Sequence, residues 1–192
     1  MDVFSAITNR RTIRKYDQSK RVPSDVLEKI VECARLSPSG GNFQSLKFAI
    51  IENPKMVEEI FHITKWGMHL PDGSGTPKEG EHPTAWVAIL HDKNISQNVP
   101  VNDAGAAAQS MMVYAWSEGL GSCWIGNIDR AKASAMMGLP ENLTIHTAIA
   151  LGYPAMTAHV EDLEGEDTKY FYRGSDFIVP KRKFEDITLT FK

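Results

Sequence analysis

The chain has 192 residues, 42% of them hydrophobic and 23% charged, with a net charge of −3. A chain of that size and balance can bury about two thirds of its unfolded surface, and its acidity argues against duplex nucleic acid, which selects basic domains, as the main partner. No apolar run is long enough to span a bilayer and no apolar signal segment follows Met1, so the sequence predicts one cytoplasmic domain over residues 1–192.

Val3, Phe4 and Ile7 predict a short opening helix with one apolar face. Directly after it stands RRTIRKY, residues 10–16, with four cations in six positions. A solvated surface, a nucleic-acid arm and one half of a pocket for a small anion are all open at this point. Guanidinium pairs bind a phosphomonoester in bidentate fashion, and the hydroxyl of Thr12 suits the same ligand.

PSDVLEKIVECARLSPSGG predicts a helix capped by Ser24, with Val26, Leu27, Ile30, Val31 and Ala34 on one face and Pro38 and two glycines at its end. LKFAIIE, residues 46–52, predicts a strand. Asn53-Pro54 predicts a new helix, because proline is tolerated at the first helical position. Residues 67–83 form the one long polar interval rich in glycine and proline, and are expected to be a lid or disordered.

TAWVAILHD predicts a buried strand, and NDAGAAAQSMMVYAWSEGLG an alanine-rich helix buried on most sides and able to approach a partner subunit closely. SCWIG follows as a short strand, then a helix from about Asp129 to Met137, then the core strand TIHTAIALG. In the tail Ile187, Leu189 and Phe191 alternate with polar residues, which predicts a terminal strand in need of a sheet. Helices and strands mix without a βαβ rhythm, which favours an α+β fold.

Gly119-Leu-Gly121 has the wrong spacing for a dinucleotide fingerprint and follows a helix, and there is no P-loop, HExxH or GxSxG. The six histidines show no metal-ligand spacing, so no metal is expected, and no base flanks Cys123 that would make it a nucleophile. Cys33 and Cys123 are expected as reduced, buried thiols. If the protein is an enzyme, its side chains are not expected to carry the hard step, and a cofactor is the candidate for it.

Four stretches then stand out in order: RRTIRKY, SPSGGNFQSLKF, DAGAAAQSMMVYAWSEGLGSCWIG and VPKRKFEDI. Together they resemble the flavin-dependent nitroreductase family over nearly the whole chain. Where members of that family carry Pro-Trp after the Gln, this chain has Ser45-Leu46. The resemblance implies an α+β nitroreductase-like fold, a mainly antiparallel central sheet flanked by helices, and a homodimer with FMN at its interface. The extension at 179–192 would reach the partner subunit.

By motif, Arg10, Arg11, Thr12 and Arg14 resemble the residues that hold the FMN phosphate, ribityl chain and pyrimidine edge. Pro38, Ser39, Gly40, Asn42 and Gln44 resemble the turn lining the isoalloxazine, Ile125 and Gly126 the backbone facing flavin N5, and Lys181 and Arg182 the phosphate clamp. Phe43, Trp66 and the 67–83 loop are candidates for the substrate side. No side chain is expected to be catalytic in its own right. The implied activity is hydride transfer from NADH or NADPH to FMN and then to an electron-poor acceptor such as a nitroaromatic or quinone. Reductive dehalogenation, flavin chemistry and non-catalytic flavin binding stay open as alternatives.

Overall fold

The protein is described by a computed structural model covering residues 1–98 and 100–191. Four antiparallel strands form its central sheet in the order β1-β2-β4-β3. They are β1 (Leu46–Ile51), β2 (Ala85–Asp92), β3 (Gly121–Ile125) and β4 (Leu143–Gly152). Every residue of β2 is buried, which is why its sequence is a continuous apolar run and not an alternating one. Period two still operates inside it. Trp86, Ala88 and Leu90 face one core, while Ala85, Val87 and Ile89 face the other.

Helices α2 (Ser24–Arg35) and α4 (Val101–Ser117) cover the second of those faces. On α4 the residues Ala104, Ala107, Ala108, Met111 and Ala115 are all sealed from solvent, and their small side chains let α2 and the sheet approach closely. Helix α3 (Pro54–His62) lies on the opposite face, as does α5 (Arg130–Met136). Asn53 caps α3 by accepting from the N–H groups of Lys55 and Met56, with Pro54 in its first turn as the sequence predicts.

Four expectations need correction. The N-cap of α2 is Pro23, which offers no side-chain cap, and the Ser24 hydroxyl instead donates to Glu52 at 2.7 Å. Trp66 belongs to the core, not to a lid: it is 7% exposed, packs edge-on against Trp86 and donates its indole N–H to Thr64 Oγ1 at 2.9 Å. The opening helix α1 (Val3–Asn9) turns Val3, Phe4 and Ile7 outward and buries only Ala6.

The fourth correction concerns the tail, which forms no strand among the described residues. A short α6 (Phe184–Ile187) is followed by extended chain with Leu189 and Phe191 almost fully exposed, because no edge of this chain's own sheets receives them. The last residue, Lys192, lies outside the described part.

A second sheet was not anticipated. Strands β5 (Ala158–Asp162), β6 (Phe171–Arg173) and β7 (Asp176–Lys181) assemble in the order β5-β7-β6, with β5 and β7 parallel. The 67–83 loop is not loose. A Cβ on Gly75 would stand 2.5 Å from Gly67 Cα, so two glycines meet at the neck and leave residues 68–74 as a closed lobe.

Candidate functional site

RRTIRKY is laid along the outer strand of the main sheet. The Ile13 N–H donates to the Ser122 carbonyl at 2.9 Å, and Thr12 bridges Ser122. This contact explains two glycines. A Cβ on Gly121 would come within 2.7 Å of the Ile13 side chain, and one on Gly152 within 2.9 Å of the Tyr16 ring. Ile13 and Tyr16 point into the core, and the Tyr16 hydroxyl donates back to the Ile13 carbonyl at 2.7 Å.

The remaining positions of the segment carry the cations. Arg11 donates to the carbonyls of Arg10 and Thr8. Burial, then the neighbouring Arg11, lowers the pKa of Arg10, and burial alone lowers that of Arg11. Arg14 is 8% exposed, its guanidinium carbon 4.6 Å from the centre of the Tyr170 ring and 5.0 Å from that of Phe177.

Among the described residues none of these three arginines has a carboxylate within ion-pair distance. Arg10 Nε, Arg11 Nε, Arg14 Nε and Nη1, and Ser122 Oγ are buried without any hydrogen-bond partner. Buried donors are nearly always satisfied in native proteins, and buried charges are paired. A donor set this cationic and this incomplete fits an anionic ligand, and a phosphate with its adjoining polar chain would use guanidinium and hydroxyl groups of this kind.

At its far end β3 runs into Gly126. A Cβ there would meet nothing within 4 Å, so the backbone borders open space. The Gly126 carbonyl accepts from Arg130 Nη2 at 3.1 Å, and the same nitrogen donates to the His146 carbonyl at 2.9 Å. Arg130 thus fixes the peptide that precedes Asn127, a role missed by motif reading although an Arg five residues after a strand end is a visible signal. Burial, then the charges of Arg130 and His91, lowers the pKa of the adjacent His146, so that its imidazole is neutral near pH 7. Ile125 is buried, and it is present through its backbone.

The turn at 38–44 is unusual in backbone. Gly41, Asn42 and Gln44 all take positive φ, at 54°, 54° and 53°. For the two non-glycine residues this costs on the order of 1 kcal/mol each and is characteristic of functional turns. The Gly40 N–H is fastened to Asp103 Oδ1 at 3.0 Å, and the Gln44 N–H to Ser39 Oγ at 3.2 Å. Pro38, Ser39 and Gln44 line a groove of about 320 Å³, beside which Phe43 stands 65% exposed.

This turn opens onto β1, whereas the arginines lie on β3, the opposite edge of the four-stranded sheet. Three strand spacings, about 14 Å, separate the two. One chain does not bring the two halves of the expected site together. Lys181 and Arg182 stand exposed at the end of β7, and their side chains form no hydrogen bond or ion pair among the described residues. Phe177, which covers Arg14, is four residues earlier on the same strand.

Of the expected set, then, Arg10, Arg11, Thr12 and Arg14 share the segment fastened to Ser122 on β3, the strand that runs on to Ile125 and Gly126. The turn, Phe43 and the C-terminal cations lie apart from them, and Trp66 is a core residue. No group of three or more His, Cys, Asp or Glu suited to a metal occurs among the described residues.

The pattern of the Nitroreductase family matches residues 7–153. The chain is 29% identical over 188 residues to a protein of Archaeoglobus fulgidus named as an NADH dehydrogenase/NAD(P)H nitroreductase, covering 94% of this chain and 95% of that one. A protein of the same name from Methanothermobacter thermautotrophicus is 31% identical over 174 residues, covering 87% and 85%. Among solved structures, a nitroreductase family protein of Clostridium novyi superposes with a TM-score of 0.68 at 23% identity, over 80% of this chain and 87% of that one. An FMN-dependent nitroreductase of Clostridium difficile gives 0.63 at 24%, over 79% and 87%. Both are similar in fold.

Proposed function

Since this chain belongs to the nitroreductase family, with residues 7–153 of its 192 matched, we propose that it is an FMN-dependent NAD(P)H oxidoreductase that works as a homodimer. The observation that carries this reading is the set of three N-terminal guanidiniums with buried, unpartnered nitrogens and no carboxylate to neutralise them. Bound FMN would supply the redox chemistry, taking a hydride from NADH or NADPH and passing it to an electron-poor acceptor such as a nitroaromatic or quinone.

The chain's own residues bind and orient. Arg10, Arg11 and Thr12, with Lys181 and Arg182 from the C-terminal side, would neutralise the phosphate. Arg14 would stabilise negative charge at the pyrimidine edge, since a low-polarity pocket strengthens its field. Gly126 would offer its backbone N–H to N5, and Arg130 steadies the next peptide through the Gly126 carbonyl. No side chain in this arrangement acts as a proton relay.

Pairing two chains would supply what one lacks. The strained turn of Pro38, Ser39, Gly40, Asn42 and Gln44 lies on the edge away from the arginines, so a partner's turn is what could close over them. The apolar side chains of Val3, Phe4, Ile7 and Leu36 on one surface, and Phe184, Ile187, Leu189 and Phe191 on the tail, would be buried in such a pair. No helix among the described residues is long and apolar enough to cross a membrane. Two free thiols, Cys33 and Cys123, suit a reducing cytoplasm.

Purified protein should be yellow, should bleach anaerobically with NADPH or NADH, and should recover its colour on addition of a nitroaromatic or a quinone. Protein that takes up no FMN, or whose bound flavin is inert to both nicotinamides, would sink the reading.

A further inference from the structure

A cleft of about 860 Å³ lies away from Gly126. It opens between the 67–83 loop and the turn joining β6 to β7, beyond the other end of β3. There the Ala155 N–H donates to the Lys15 carbonyl at 2.9 Å, and Gly121 faces Gly152 across the sheet. Four strand rises, about 13 Å, separate Gly121 from Ile125. We propose that this cleft receives the phosphorylated adenosine end of NADPH, and that Lys15 and Lys78 make the protein prefer NADPH to NADH. The proposal rests on the NAD(P)H reading above.

Charge and donor chemistry carry it. Ser74, Thr76, Thr157 and Ser175 line it together with Lys15 and Lys78, and the Thr157 hydroxyl already donates to Asp176 Oδ1 at 2.8 Å. Among the described lining residues the one carboxylate, Glu81, is already engaged: Oε2 accepts from the Lys78 N–H at 3.2 Å, and Oε1 lies 3.9 Å from Lys15 Nζ. Lys15 is held further by the Tyr172 ring, 5.5 Å from its ammonium. The Lys78 ammonium has no carboxylate within ion-pair distance among the described residues, which leaves the cleft with one positive charge in excess.

Convergent hydroxyls around an uncompensated ammonium suit a phosphomonoester of charge near −2, and a ribose hydroxyl in its place would forfeit the charge-assisted contacts. The volume lies within the range of small-ligand sites and the floor at Ala155 and Met156 is apolar, as an adenosine requires. Position selects a coenzyme over an unrelated phosphate. Lys15 follows Arg14 directly in sequence, so the cleft abuts the candidate flavin cradle, and an extended dinucleotide can lie across both.

The test compares NADPH with NADH, and 2′,5′-ADP with ADP, on the intact FMN-loaded protein. Lys78→Gln should lower the ratio of kcat/KM for NADPH to that for NADH by about tenfold or more, the lower end of what a hydrogen bond to a charged group supplies. Lys15→Gln should move it the same way, and Lys78→Arg should keep most of it. A folding defect would depress both coenzymes and cancel in the ratio. In direct titration 2′,5′-ADP should bind the parent protein more tightly than ADP, with the advantage lost in Lys78→Gln.

A ratio that neither substitution moves, or equal binding of the two nucleotides, overturns the assignment while leaving the oxidoreductase reading intact. If neither coenzyme supports turnover, that reading fails, and the titration alone then decides whether the cleft holds a phosphomonoester.

Discussion

The central sheet carries a different core on each side. Towards α2 and α4 the contacts are aliphatic and small, with Ala104, Ala107, Ala108 and Ala115 against Val87, Ile89 and Ile149, and no ionisable side chain among the cluster's fully buried residues. Towards α3 and α5 they are aromatic and tethered. Trp86 donates to the Val57 carbonyl, Trp66 to Thr64 and Tyr16 to Ile13, and Cys123 lies in the same cluster. The segment that carries the candidate cations, 10–16, hangs from the aromatic side through Ile13 and Tyr16. The alanine side serves proximity, and the aromatic side serves placement, because a hydrogen bond from a buried ring fixes the segment it reaches.

Trp86→Ala would break the comparison most severely. It removes a fully buried indole and its bond to the Val57 carbonyl, and it should lower stability by about 3–5 kcal/mol in urea unfolding. An equally destabilising Met111→Ala on the other side, measured the same way, would argue that the two cores are of one kind.

Alkaline pH sharpens the contrast through the thiol of Cys123, whose pKa is pushed up by burial from 9.0 to about 11 despite Arg14 nearby. Folding therefore favours the protonated form. The associated stability is fully present below about pH 9 and is lost as pH climbs towards 11, for a total of about 2–3 kcal/mol. Burial also raises the pKa of Tyr16, which adds to the loss at still higher pH. Denaturation followed from pH 8 to 11 should show the fall, and Cys123→Ala should flatten it.

Arg14→Met separates binding from folding. An unpaired guanidinium is costly to bury, so the cofactor-free variant should be as stable as the parent or more so, while FMN dissociation should rise about tenfold or more. Weaker apo stability with unchanged FMN retention would assign Arg14 to packing. On the alanine side, Ala108→Leu overfills the α2–α4 contact and should cost about 1–3 kcal/mol. The smallest effect expected is Tyr16→Phe, about 1 kcal/mol from one lost hydrogen bond.

Much of this was legible in the sequence where periodicity is strong. LKFAIIE, TAWVAILHD, SCWIG and TIHTAIALG all occur as strands, and the alanine-rich run forms α4. The antiparallel sheet flanked by helices agrees with the fold expected. What escaped depends on distant contacts. β5 and β6 are five and three residues of mixed polarity, and β7 contains Pro180, so none announces itself locally. Trp66 looked peripheral beside a polar loop, yet Phe61 and Trp86 close around it. Glu58 sits 3.0 Å from both His62 Nε2 and His82 Nδ1, and His82 stacks on Phe61, which anchors the far end of the loop in a way no spacing foretells.

The pinch between Gly67 and Gly75 has a consequence for how such proteins diversify. A lobe closed at its own base can be lengthened, shortened or replaced with little strain reaching the strands, and each doubling of its length costs only about 0.6 kcal/mol in closure entropy. Residues 68–74 are thus an exchangeable cassette bordering the cleft of about 860 Å³. Its contents can drift to admit new guests while the scaffold beneath keeps its geometry.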